Sequence, residues 1–179
     1  DVTIDHSIEA MFERIKSLKT NVVIFFHNLK FDGAFWLDFL LTKLKYTQAI
    51  VGDLSDTDNM DWKKDKDMKS GEFKYSISDR GQWYSIKIKT GRQLIEIRDS
   101  LKLLPFSVKQ IGKGFSTKHK KLEMEYVGFR FAGCEITDEE RKYIANDVLV
   151  VKEALEFMFN EGHDKLTIGS CCFSEYEKI

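Results

Sequence analysis

The chain has 179 residues, room for one well-filled core, and no break in composition argues for two domains. With 42% hydrophobic and 32% charged residues it reads as a globular domain. A formal charge of −1 excludes a polycation that holds nucleic acid by bulk attraction. No apolar run approaches the ~20 residues of a membrane span and no signal-peptide pattern is seen, so no membrane role is expected. The distant Cys134 and the adjacent Cys171 and Cys172 match neither a disulfide framework nor zinc-ligand spacing. A reducing, cytoplasmic setting is the expectation. The chain begins at Asp1 without an initiator methionine, which suggests a piece of something longer.

Residues 1–4 read as the end of a strand, and Asp5-His6-Ser7 as a turn and cap. Ile8, Met11, Phe12, Ile15 and Leu18 recur at helical spacing and predict a helix over 8–18. The most informative stretch follows. Val22-Val23-Ile24-Phe25-Phe26 is apolar and β-leaning, and it ends in the polar pair His27-Asn28 before an apolar helix to about Leu44. A strand, a tight turn and a helix are the elements that place a site at the strand ends of an α/β sheet. Asp32 falls in the first helical turn, where backbone N–H groups favour a carboxylate. An isolated Asp there is a helix cap. Here His27, Phe31, Phe35 and Trp36 flank it with flat rings suited to stacking on bases.

The chain from Thr47 to about Gly71 is polar and reads as loop, and its Lys63, Lys64, Lys66 and Lys69 as a solvated face. Asp56-Thr57-Asp58 within it matches a metal-holding motif of polymerase palms, but lacks the aromatic residue and hairpin which that motif needs. Residues 72–99 alternate with period two around turns at Asp79-Arg80-Gly81 and Thr90-Gly91, predicting an antiparallel meander of three strands. A short helix is expected after Pro105, to about Lys113. An irregular basic segment follows, in which Lys118, Lys120 and Lys121 join Lys109 and Lys113 as a local source of positive charge. Thr137-Asp138-Glu139-Glu140 is a capping box opening a long helix that closes near Gly162. Within it Tyr143 and Asp147, four residues apart, project from one face.

Taken together, His27-Asn28-Leu29-Lys30-Phe31-Asp32 and Tyr143-Ile144-Ala145-Asn146-Asp147 resemble the second and third exonuclease motifs of family B DNA polymerases. More narrowly, they resemble the protein-primed branch of phages and linear plasmids. The similarity extends to Gly81-Gln82-Trp83-Tyr84, Asp99-Ser100-Leu101-Lys102, Leu104-Pro105-Phe106, Val127-Gly128 and Leu166-Thr167-Ile168-Gly169-Ser170. It implies an α/β, ribonuclease H-like exonuclease fold, a mixed sheet flanked by helices, as one partial domain over 1–179 with no polymerase palm. It also implies a parent DNA-directed DNA polymerase with 3′→5′ proofreading exonuclease activity, acting in protein-primed replication in a bacterial or phage-infected cell.

The chemistry so implied is two-metal hydrolysis with Mg²⁺ or Mn²⁺, which needs several converging carboxylates. By resemblance, Asp32 and Asp147 are metal ligands, Tyr143 orients the attacking water, and Lys121 assists at the phosphate. His27, Asn28, Phe31 and Phe35 grip the unpaired 3′ end of single-stranded DNA. Ser100, Leu101, Phe106 and Tyr126 add to that grip and to contact with the priming (terminal) protein.

One departure stands out. The family carries a first motif, Asp-x-Glu, on an N-terminal strand, and no such strand is read ahead of the first helix here. The expectation is an N-terminally truncated fragment, inactive as a nuclease without that motif and with no metal bound, whose uncovered sheet edge invites self-association. The alternative is a catalytically inactive module that holds single-stranded DNA or a protein partner.

Overall fold

A computed structural model describes residues 2–52, 61–125, 128, 129, 131 and 133–179. These belong to two units, one spanning Ser7–Asp99 and the other joining Asp1–His6 to Ser100–Ile179. The Asp56-Thr57-Asp58 motif lies outside the described residues.

In the first unit, Ser7 accepts a hydrogen bond from the amide of Ala10 and opens helix α1, Ile8–Ser17, as its cap spacing predicts. Phe12 and Ile15 face the core, while Leu18 sits just past the helix and is exposed. Strand β1, Val22–Phe26, leads into helix α2, Leu29–Asp38, which continues as a π-helical turn over Phe39–Lys43. The strand–turn–helix expectation therefore holds through its whole length.

The meander also forms as its alternation predicts: β5 is Glu72–Ile77, β6 Trp83–Thr90 and β7 Gln93–Asp99. With β2, Thr47–Gln48, these strands build a five-stranded sheet in the order β1-β7-β6-β5-β2. The outer pairs, β1 with β7 and β2 with β5, are parallel, and the inner pairs antiparallel. Phe73, Ile86, Ile88, Ile95 and Ile97 are fully buried in one core with Phe12, Leu29, Trp36, Phe39 and Leu40 of the helices. Period-two alternation on the strands and helical spacing on α1 and α2 thus meet in a single apolar layer.

Two sequence expectations are corrected here. Residues 2–4 hold no strand, and Val2 and Thr3 are exposed. The segment after Thr47 is more than loop: besides β2 it carries β3, Ile50–Val51, β4, Asp61–Trp62, and a 3₁₀ turn at Asp65–Asp67. Charge on the sheet pins that turn. Lys74 and Lys87 stand opposite one another on β5 and β6, and Asp65 bridges them at 2.7 and 2.6 Å. Lys63 reaches Glu72 at 2.5 Å and is half-buried, so it leaves the solvated face on which Lys64, Lys66 and Lys69 remain.

In the second unit, α3 runs Val108–Gly114 rather than directly from Pro105, because the reciprocal Ser107–Gln110 capping box sets its start. Helix α4, Asp138–Asn160, opens on the expected Thr137–Glu140 capping box, with three acids in its first turn favoured by the helix dipole. Ile111 of α3 and Val150 and Ala154 of α4 are fully buried, and Phe115 meets Phe157 edge-on at 5.6 Å. The last helix, α5, Ile168–Tyr176, is capped by the Thr167 hydroxyl, which accepts from the amide of Ser170. None of the helices described is long and apolar enough to cross a membrane.

Candidate functional site

The predicted site residues fall into two groups, one in each unit. In the first unit the chain turns sharply at Asn28, whose φ of 72° lies in the left-handed region that Asn tolerates better than most residues. Its backbone N–H donates to Oδ1 of Asp99 at 3.0 Å. Asp99 ends β7, pairs with Phe26 in register and is 3% exposed. The carboxylate thus fixes the turn from the neighbouring strand. Sequence reasoning quoted Asp99 only within a motif and missed this role, since nothing in a linear pattern shows which strands are neighbours.

Asp32 follows on the first turn of α2, and burial pushes its carboxyl above the usual range despite a hydrogen bond from its own amide. A carboxylate held partly out of water with no described cation beside it gains from one. Phe31 and Phe35 lie beside it, 69% and 70% exposed, and present open ring faces. His27 and Asn28 are half-buried at the junction. Trp36 departs from expectation. It is 1% exposed and meets Phe12, Phe26 and Phe39 edge-on, so it belongs to the core and not to the stacking surface.

The second group is a set of direct contacts. Lys121 donates from Nζ to the Tyr143 hydroxyl at 2.8 Å and to Oδ2 of Asp147 at 2.6 Å. The same ammonium lies 4.6 Å from the centre of the Tyr143 ring. Burial works to lower the Lys121 pKa, but the bonds to Asp147 and Tyr143 outweigh it and raise it. The lysine is therefore a fixed cation. Tyr143 and Asp147 share a face of α4, as their four-residue spacing predicts.

The other oxygen of Asp147, Oδ1, is buried without a hydrogen-bond partner among the described residues. Such an atom calls for an explanation, and a hard divalent cation is a chemical fit to it. Asp32, with its raised pKa, fits the same kind of ion. Among the described residues no three His, Cys, Asp or Glu side chains are placed to share a metal.

Ser100 opens a 3₁₀ turn, fully buried, and its carbonyl accepts from the amides of Leu103 and Leu104. Leu101 is half-buried. Phe106 is half-exposed and lines an open hollow of about 430 Å³ with Gln110, Lys113, Gly114 and Phe115. Tyr126 lies outside the described residues.

A sequence model of DNA polymerase type B, organellar and viral, matches residues 14–133, well over half of the chain. The chain belongs to the organellar and viral type B DNA polymerases. The DNA polymerase of Bacillus phage phi29 is 36% identical over 167 residues, which is 90% of this chain and 26% of that protein. That of Streptococcus phage Cp-1 is 30% identical over 158 residues, 88% of this chain and 23% of the other.

Among solved structures, phi29 DNA polymerase complexed with primer-template DNA matches with a TM-score of 0.79 at 32% identity, covering 99% of this chain and 29% of that one. The same polymerase complexed with single-stranded DNA matches at 0.76 and 33% identity, over 96% and 28%. The chain thus spans less than a third of the length of these type B polymerases. The expected ribonuclease H-like exonuclease fold, a mixed sheet flanked by helices, is borne out by the match.

Proposed function

We propose that this chain is the 3′→5′ proofreading exonuclease region of a protein-primed family B DNA polymerase, which excises mispaired nucleotides from a primer end. The observation that carries the reading is the Lys121–Tyr143–Asp147 constellation, in which one carboxylate oxygen is held by an ammonium and the other is buried without a described partner. Asp32 and Asp147 are the residues that hold Mg²⁺ or Mn²⁺. When bound, such ions activate water and stabilise the leaving oxygen. Tyr143, its oxygen engaged by Lys121, is polarised as a hydrogen-bond donor and orients the attacking water. Lys121 brings positive charge to the phosphate.

Phe31 and Phe35 stack on the bases of the single-stranded 3′ end. Stacking accepts any base, as a proofreading site must. His27 and Asn28 grip the same strand, and Ser100, Leu101, Phe106 and Tyr126 extend the contact to DNA and, in the parent, to the terminal protein. Solved phi29 polymerase complexes with single-stranded and primer-template DNA support DNA as the partner class. The cell in which such a protein works is a phage-infected bacterium.

Asp32 and Asp147 by themselves are too few for a two-ion cage, so residues 1–179 alone are nearly or wholly inactive as a nuclease, and the parent is the active one. β1 stands at the end of the sheet order among the described residues, and an edge strand favours self-association of the isolated polypeptide. The deciding experiment is mismatch excision by the whole reading frame. Asp32→Ala or Asp147→Ala abolishes excision and spares polymerisation, whereas normal proofreading by both variants sinks the assignment.

A second reading, a module that binds single-stranded DNA without cutting it, is favoured by the exposed rings of Phe31 and Phe35. Salt-dependent binding with no Mn²⁺-dependent cleavage by the whole reading frame selects that reading instead.

A further inference from the structure

Lys121 lies in a stretch with no helix or strand, so no backbone ladder fixes where its side chain arrives. Its neighbours are fixed instead by side-chain bonds. The Thr117 hydroxyl donates to the carbonyl of His119 at 2.6 Å, and Lys120 donates to the carbonyl of Gly112 in the last turn of α3 at 2.9 Å. Glu153 of α4 grips His119 twice: one oxygen bonds Nδ1 of the ring, and the other accepts the backbone N–H at 3.3 Å. The spacings agree. Glu153 lies six residues beyond Asp147, a rise of about 9 Å along the helix. His119, at a bend, and Lys121 are two residues apart, at most about 7 Å of chain, and the side chains span the rest. Both links tie the same short segment to the same helix.

We propose that His119 and Glu153 form a positioning pair, a latch on α4 that sets Lys121 against Tyr143 and Asp147. The bond to the ring fixes the segment's side, and the bond to the backbone fixes its height along the helix. The latch rests on geometry alone. Only its catalytic consequence rests on the proofreading reading above.

The test is the reactivity of individual lysines in the 179-residue chain toward limiting acetic anhydride, read by mass spectrometry. In the unaltered chain Lys121 labels slowly compared with Lys109, whose side chain is 77% exposed. His119→Ala and Glu153→Ala raise Lys121 labelling about fivefold, the scale of one lost hydrogen bond, and leave Lys109 and Lys152 unchanged. His119→Asn, whose side-chain N–H reaches the place of Nδ1, restores protection.

Unchanged Lys121 labelling in both alanine variants overturns the proposal, as does His119→Asn behaving like alanine. Should the alanine variants speed every lysine and so prove unfolded, Glu153→Met decides, because its unbranched side chain keeps the length and gives up both carboxylate oxygens. The same rise at Lys121 alone supports the latch, and none refutes it. In the whole reading frame, His119→Ala slows single-turnover excision with DNA affinity unchanged. If labelling responds and excision does not, the latch stands and the catalytic role of Lys121 falls.

Discussion

The backbone N–H of Asn28 donates to the carboxylate of Asp99, 71 residues further along the chain, at 3.0 Å. That bond joins the left-handed turn after β1 to the buried end of β7, and the candidate DNA-gripping residues depend on the turn. Asp99→Ala leaves the amide without this partner in a poorly hydrated place, a cost of ~1–3 kcal/mol. A thermal melt should show a drop of about 2–4 °C per kcal/mol. Single-strand affinity, measured by anisotropy of a labelled oligonucleotide, should fall as well. An unchanged melt and unchanged affinity would remove Asp99 from the account.

Asp32 carries the opposite sign. Its folded pKa is raised by burial, so its ionisation opposes folding, and stability is lost as the pH rises through the folded value. Asp32→Asn should therefore raise the melting temperature at neutral pH by about a degree or two while abolishing mismatch excision in the parent. A variant that melts lower than the original contradicts this view of the carboxylate.

Gly33 holds α2 against β6. A Cβ built there would lie 2.4 Å from Cζ3 of Trp83, and the ring must swing away to admit it. Gly33→Ala should cost ~1–3 kcal/mol through overpacking, visible as a lower urea midpoint with an unchanged m-value.

Phe31 and Phe35 are exposed, so truncating either leaves the core alone. Phe31→Ala and Phe35→Ala should each weaken single-strand binding by ~1–3 kcal/mol per stacked base and leave the melting temperature within about a degree. Loss of stability without loss of affinity would reassign both rings to packing.

Acid should unfasten the segment around Asp65. Burial works to raise its pKa, but the bonds to Lys74 and Lys87 prevail and hold it below 3.8. The stability it contributes is present above the ordinary carboxylate value and lost as pH falls through the depressed folded one. Asp65→Asn should lower the melt at neutral pH and flatten its acid slope below about pH 4. An unaltered slope would show that the bridge contributes nothing.

Much of the molecule was legible in the chain because its cues are local. The caps at Ser7 and Thr137, the alternation over 72–99 and the apolar run closed by His27-Asn28 each act over a few residues, and each produced the expected element. The spacing of Tyr143 and Asp147 placed both on one helical face. Reading failed where position depends on distant partners. Trp36 looked like a stacking ring beside Phe35, but three aromatic neighbours take it into the core. The stretch after Thr47 looked like loop, because its anchors are lysines on strands that follow it.

The amino-acid order alone determined the strand–turn–helix around Asp32, the meander and the capped helix bearing Tyr143 and Asp147. Hydrogen bonding and hydrophobic period act along the backbone, so those features are written locally. Only the folded chain decided that Asp99 holds the turn at Asn28, that Lys121 meets Tyr143 and Asp147, and that Glu153 holds His119. Side chains reach a few ångströms, and which residues come within reach is set by how the elements pack, a property no short stretch of sequence contains.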